Sequence, residues 1–230
     1  MPLSERDYMK EPRRPSYIRK VRFGGDGGFG ANPVLIIILI NFLLLIATII
    51  GGKIYITYNE VIIGEIYKLN YYMGLIPAEL WERPWTIVTN MFVHAGFGHF
   101  FGNMLTLFFF GMYLSRLIGD KKFLIIYFGG GLLGNILYLF LAPPLSVAVG
   151  ASGAVYAIAG TLVMLQPKLR VLLYFIFPMP LWVVILVFFV IFSIPDFIIP
   201  NVAWQAHLGG LIFGLVAGYI FKRWERYYRF

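Results

Sequence analysis

Residues Val149 to Lys168 read VGASGAVYAIAGTLVMLQPK. From Ser152 to Gln166 the run is uncharged and largely apolar, and Pro167 stops it, because proline cannot continue a helix. Fifteen helical residues reach only about 22 Å at 1.5 Å each. A bilayer core is roughly 30 Å thick. The run is therefore a short apolar helix that starts with a hydroxyl, and what it is depends on its neighbours.

Those neighbours are apolar as well. The chain has 230 residues, 60% hydrophobic and only 13% charged, where a soluble domain carries about 25% charged residues. Six apolar segments have helical length: Pro33–Ile50, Gly98–Ser115, Lys122–Leu141, Ser152–Gln166, Val171–Ile194 and Ala203–Phe221. Backbone groups in lipid must be satisfied internally, so helices are the expected form. The expectation is an all-α membrane protein, a six-transmembrane-helix bundle. Sixteen of the nineteen Lys and Arg residues fall in the tails and alternate loops, leaving Lys53, Lys68 and Arg83 for the other side. By the positive-inside rule both termini are cytoplasmic and the chain is multi-pass in the cell membrane. This placement also accounts for the net charge of +8 without nucleic acid.

Three regions follow. Residues 1–32 are a basic, glycine-rich cytoplasmic tail, expected to be disordered; the apolar stretch after it is too long for a signal peptide. Residues 33–224 form the membrane domain, and 225–230 a short cytoplasmic C-terminal tail. The long first loop, Gly51–Phe97, holds Tyr71, Tyr72, Trp81 and Trp85. Such aromatics favour the membrane interface, so the loop is expected to lie partly helical in the outer leaflet. With no cysteine, disulfides and thiol chemistry are excluded.

No Asp or Glu sits in the middle of any span, which argues against a proton-coupled transporter and an acidic-ring channel. Ser152 opens the fourth span, and His207 lies one turn into the sixth. Both spans run inward from the outer face, so the two residues share a depth. A serine needs a base to become a nucleophile, and His207 can supply one. Tyr156, four residues after Ser152, is on the same face and can hold the imidazole ring. His99 and Asn103 share a face of the second span and can both donate hydrogen bonds. The Ser152 N–H, at a helix start, is a third donor. Gly150 admits a substrate backbone without a Cβ clash. Gly210, Gly214 and Gly218 in the sixth span, and Gly153, Ala157 and Gly160 in the fourth, have the spacing of close helix contacts in lipid.

Blander readings stay open at this point. The glycines are packing residues on either view. His99 with Asn103 can be an interhelical bonding pair, and His94 can order its loop. Three histidines suffice for zinc. However, His94 and His99 are five apart and share no helix face, and no H-E-x-x-H is present. No metal or cofactor is expected. An enzyme, a binding or transport protein and a non-catalytic handler of membrane helices all fit a polar cluster at this depth.

Three motifs in order carry a resemblance: H99FFGN103 in the second span, G150ASG153 with Tyr156 in the fourth, and A206HLGGLIFG214 in the sixth. Together with Trp85–Gly111, the chain from about Asn32 to Trp224 resembles the rhomboid family of intramembrane serine proteases. The resemblance implies a six-helix rhomboid-like bundle with a long membrane-interfacial first loop. It also implies cleavage of transmembrane segments of other membrane proteins by a Ser152–His207 dyad. His99, Asn103 and the Ser152 N–H would line the oxyanion hole, Gly150 would precede the nucleophile by two, and His94 would support the site. Residues near Phe192–Trp204 would gate substrate access. Many members have Trp-Arg where this chain has Trp85-Thr86, and Arg83 is the candidate substitute.

Overall fold

A computed structural model describes residues 32–58, 61–173, 176–193 and 202–227. The N-terminal tail before Asn32 and most of the expected gate segment lie outside the described residues.

The chain is a helical membrane protein. Helix α1 spans Pro33–Gly51, with the Asn32 side chain accepting from the Val34 and Leu35 amides at its start. Val34, Ile37, Asn41, Leu45 and Thr48 face inward at three- and four-residue spacing. Leu35, Leu39 and Leu43, on the rest of its surface, are exposed. The two inward polar side chains bond their own helix, Asn41 to the Ile37 carbonyl at 2.8 Å and Thr48 to the Leu44 carbonyl at 2.7 Å.

The first loop is partly helical, as expected, but it also contains strands. It begins with an antiparallel hairpin, β1 (Lys53–Tyr58) and β2 (Val61–Tyr67). Short helices α2 (Lys68–Met73) and α3 (Thr86–Thr89) follow. The strands are rich in β-branched residues and tyrosine, which favour a pleated surface.

The second span runs from Phe97 to Ile118. It consists of α4 (Phe97–Thr106), a π-turn (Leu107–Gly111) and α5 (Met112–Ile118). Helix α6 covers Asp120–Leu141, α7 Ser152–Leu165, α8 Leu181–Ser193 and α9 Trp204–Tyr227. Among the described residues four helices are long and apolar enough to cross a membrane, α1, α4–α5, α6 and α9; α7 and α8 are shorter apolar helices.

The fifth apolar segment also differs from expectation. Its first part is a hairpin, β3 (Arg170–Leu173) paired with β4 (Phe177–Pro180). Helix begins only at Leu181. Pro178 and Pro180 explain this, since neither has an amide hydrogen to donate within a helix.

Helix α7 is the centre of the molecule. None of its residues is exposed, and ten of its fourteen are buried. Glycine brings α9 against it. A Cβ on Gly214 would meet the Ala157 carbonyl oxygen at 2.1 Å. One turn further, the Thr161 hydroxyl reaches the Ala157 and Gly214 carbonyls at 2.9 and 3.1 Å. Helix α6 closes on α9 in the same way, with Gly209 against the Gly134 backbone. Small residues give such contacts their dispersion energy by removing side-chain bulk.

Candidate active site

Ser152 is the first residue of α7, and no side chain caps that helix. The chain entering it is pinned on several sides. Leu75 and Ala148 exchange both backbone hydrogen bonds at 2.9 Å. The Gly150 amide donates to the Asn90 carbonyl at 2.8 Å. The Ala151 amide donates to His94 Nε2 at 3.4 Å. Residues 142–151 are thus held by the first loop, and irregular backbone is tolerated at membrane depth when protein encloses it.

His207 sits in the first turn of α9 and is buried. Its Nε2 lies 2.8 Å from the Ser152 Oγ, within hydrogen-bond distance. The backbone approach of α7 and α9 next to the pair makes this reach possible. The Tyr156 ring lies over the His207 ring, with centroids 4.6 Å apart and planes tilted by 31°. Tyr156 also meets Phe189 from α8, with ring centroids 6.0 Å apart and planes at 88°. Phe189 has no distinguishing sequence signal within its apolar run; only the assembled fold shows it.

His99 and Asn103 are both on α4, and the Asn103 amide donates to the His99 carbonyl at 2.8 Å. The amide therefore has one hydrogen committed to its own helix. Gly150 has φ +118° and lies against the His99 ring: a Cβ there would meet Cε1 at 2.6 Å and Nε2 at 2.8 Å. The structural reason for glycine at 150 is this imidazole, a constraint separate from the expected approach of a substrate.

His94 is fully buried, with its ring edge-on to His99 at 5.1 Å and to Phe100 at 5.6 Å. Burial, and then the neighbouring His99, push its imidazole down to about 3. It therefore stays neutral, as the hydrogen bond it accepts from Ala151 requires. Asn70 donates to the His94 carbonyl at 2.9 Å, fixing its backbone as well.

Arg83 is buried in the first loop. Its guanidinium donates to the Glu79 carboxylate and the Tyr71 carbonyl, and lies over the Tyr71 ring at 4.4 Å. Thr86 itself donates its hydroxyl to the Arg83 carbonyl at 2.7 Å.

A small cavity adjoins Ser152. Asn90 and Asn135 give it polar walls, and Met91, Gly131 and Ala206 contribute apolar ones. Among the described residues no group of three or more His, Cys, Asp or Glu side chains could hold a metal ion.

The rhomboid domain family matches residues 81–224 of the chain. The chain belongs to the rhomboid family. Its class is that of the rhomboid-type intramembrane serine proteases.

Three relatives give the extent of similarity. The chain is 29% identical over 191 residues to the putative rhomboid protease YdcA of Bacillus subtilis, covering 79% of this chain and 87% of that protein. It is 30% identical over 163 residues to the mitochondrial rhomboid protein 1 of Saccharomyces cerevisiae, covering 61% of this chain and 43% of the yeast protein. It is 31% identical over 133 residues to the rhomboid protease GluP of Bacillus subtilis, covering 58% and 25%. Against the yeast protein and GluP the match spans under half of the relative's length.

Proposed function

We propose that the chain is an endopeptidase that cleaves transmembrane segments of other membrane proteins, with Ser152 as nucleophile and His207 as general base. The observation that carries this is the 2.8 Å contact between His207 Nε2 and Ser152 Oγ. His207 takes the serine proton as Oγ attacks the scissile carbonyl. It then returns the proton to the leaving amine, and water hydrolyses the acyl-enzyme. A dyad suffices because Tyr156 fixes the imidazole plane.

Charge builds on the substrate oxygen in the transition state. The Ser152 N–H, at a helix start, is one donor for it. His99 and the second Asn103 amide hydrogen are the others. His94 is a positioning residue: its Nε2 holds the Ala151 amide, one peptide before the nucleophile. Gly153, Gly210 and Gly214 serve the site by letting α9 approach. Asn90 and Asn135 offer polar walls where hydrolytic water can be held.

Residues 33–224 are the protease domain, 1–32 a cytoplasmic tail and 225–230 a short C-terminal tail. The distribution of Lys and Arg supports cytoplasmic termini and a site opening to the outer side. A substrate helix must unwind to present its carbonyl, so helix-weak stretches with small residues are the preferred sites. The partners are transmembrane proteins within the bilayer.

A fluorophosphonate probe on protein in detergent tests the assignment. Wild type labels, and Ser152→Ala and His207→Ala do not. An unlabelled wild type that also leaves a model transmembrane substrate whole rejects the reading. Solute flux in proteoliposomes would then favour transport.

A further inference from the structure

The hairpin β3–β4 joins the two shortest membrane helices, α7 and α8, and its base is closed by the Leu181 amide donating to the Leu169 carbonyl at 2.8 Å. Its register sorts the side chains. Val171 pairs with Met179, both half-buried, and Val171 packs on the bundle core. The opposite face carries Leu172 at 58% exposure. Phe177, which pairs with Leu173 at the far end of the ribbon, is exposed at 60%, and Ile176, just outside the pairing, at 69%. Three large apolar side chains exposed close together at the end of the ribbon away from its base are unfavourable in water.

Exposed Lys168 and Arg170 stand beside this apolar face. The same end of the molecule carries Lys222, whose ammonium donates to the Met164 carbonyl at 3.0 Å near the end of α7. It also carries Lys122, which lies over the Phe221 ring at 5.4 Å. Ammonium groups at helix ends sit at the headgroup level, with their stems in apolar surroundings. The hairpin base at Leu169 is therefore at or just beyond that level.

The geometry points to the β3–β4 hairpin as a membrane anchor that sits in the headgroup–acyl boundary. Leu172 from one face, and Phe177 and Ile176 from the end away from the base, reach the acyl chains, and Lys168 and Arg170 meet anionic phospholipid headgroups. Apolar area together with adjacent basic charge is the combination that binds an anionic interface. The position also suits backbone chemistry: a two-stranded ribbon has unpaired edges, which are costly in the hydrocarbon core but solvated among headgroups. This inference needs only that the chain is a membrane protein, not that it is a protease.

The absence of cysteine makes the test direct. Nitroxide labels are placed at Ile176→Cys and Phe177→Cys in the full chain, reconstituted in vesicles of mixed phosphatidylcholine and phosphatidylglycerol. Collisions with oxygen and with a water-soluble nickel chelate report depth. Ile125→Cys, on the exposed face of α6, is the lipid reference, and Lys121→Cys the headgroup reference. Labels at 176 and 177 are expected to favour oxygen more than the label at 121. In phosphatidylcholine alone, or with Lys168→Gln and Arg170→Gln, their oxygen preference is expected to fall. Nickel-favoured collisions at 176 and 177 overturn the anchor. A preference equal in neutral and anionic vesicles overturns the assignment to anionic lipid, and that arm needs no charge substitution.

Discussion

A Cβ built on Gly210 would come within 1.9 Å of the Gly153 carbonyl oxygen. Helices α7 and α9 thus touch backbone to backbone beside Ser152 and His207, and the contact sets the distance between the two side chains.

Gly210→Ala must push the helices apart, since the obstacle is backbone and not a movable side chain. The expected cost is about 1–3 kcal/mol of stability, typical of an overpacked contact. Cleavage of a model transmembrane substrate should fall with it. Thermal unfolding in detergent and a gel-based cleavage assay measure the two. Gly51→Ala, with open space around its Cβ, is the control that should change neither.

Gly150→Ala acts differently. The backbone at φ +118° is strained for an alanine, and the new methyl displaces the His99 ring. If His99 is an oxyanion donor, kcat falls by about two orders of magnitude, the usual loss of one such donor. KM for the substrate should change far less. Wild-type kcat in the variant would remove His99 from the catalytic set.

Arg83 ties the first loop together through Glu79 and Tyr71. Arg83→Ala leaves the Glu79 carboxylate without this partner and should cost about 2 kcal/mol, the scale of hydrogen bonds to charged groups. Limited proteolysis should then cut between α2 and α3 faster than in wild type. An unchanged rate would mean that the ion pair does not hold the loop.

His94 gives stability a dependence on pH. In the unfolded chain its imidazole protonates near 6.5, but in the folded protein only near 3. The folded state is therefore at full advantage above pH 6.5 and loses stability as pH falls from 6.5 towards 3. Other groups titrate in this range, so the comparison is with His94→Gln. The variant should show a shallower decline in melting temperature over that window, and parallel curves would contradict the burial argument.

Much of the fold was legible because hydrophobic length and glycine spacing are strong signals in a membrane chain. The expected span Lys122–Leu141 is α6 to within two residues, and α7 begins at Ser152. The hairpins were less visible, for two reasons. In Val171–Ile194 the apolar run masked Pro178 and Pro180, which had marked the break all along. In the first loop, the tyrosine and β-branched residues of KIYITY and VIIGEIY already pointed to strands. At the site, spacing could place Ser152 and His207 at one depth, and the structure has them in contact. It could not show that Gly150 answers to His99, that Phe189 meets Tyr156, or that Arg83 reaches Tyr71. Those relationships are tertiary, and a one-dimensional pattern carries no trace of them.

The central burial of α7 has one more consequence. A helix with so little surface open to lipid gains little from matching bilayer thickness, so its height is set mainly by its protein neighbours. When the membrane thickens or thins, the outer helices tilt or sink to fit, and Ser152 is carried with them as a fixed gauge. If Ser152 is the nucleophile, the peptide bond presented to it depends on the host bilayer as well as on the substrate, and one substrate in two membranes should be cut at two different places.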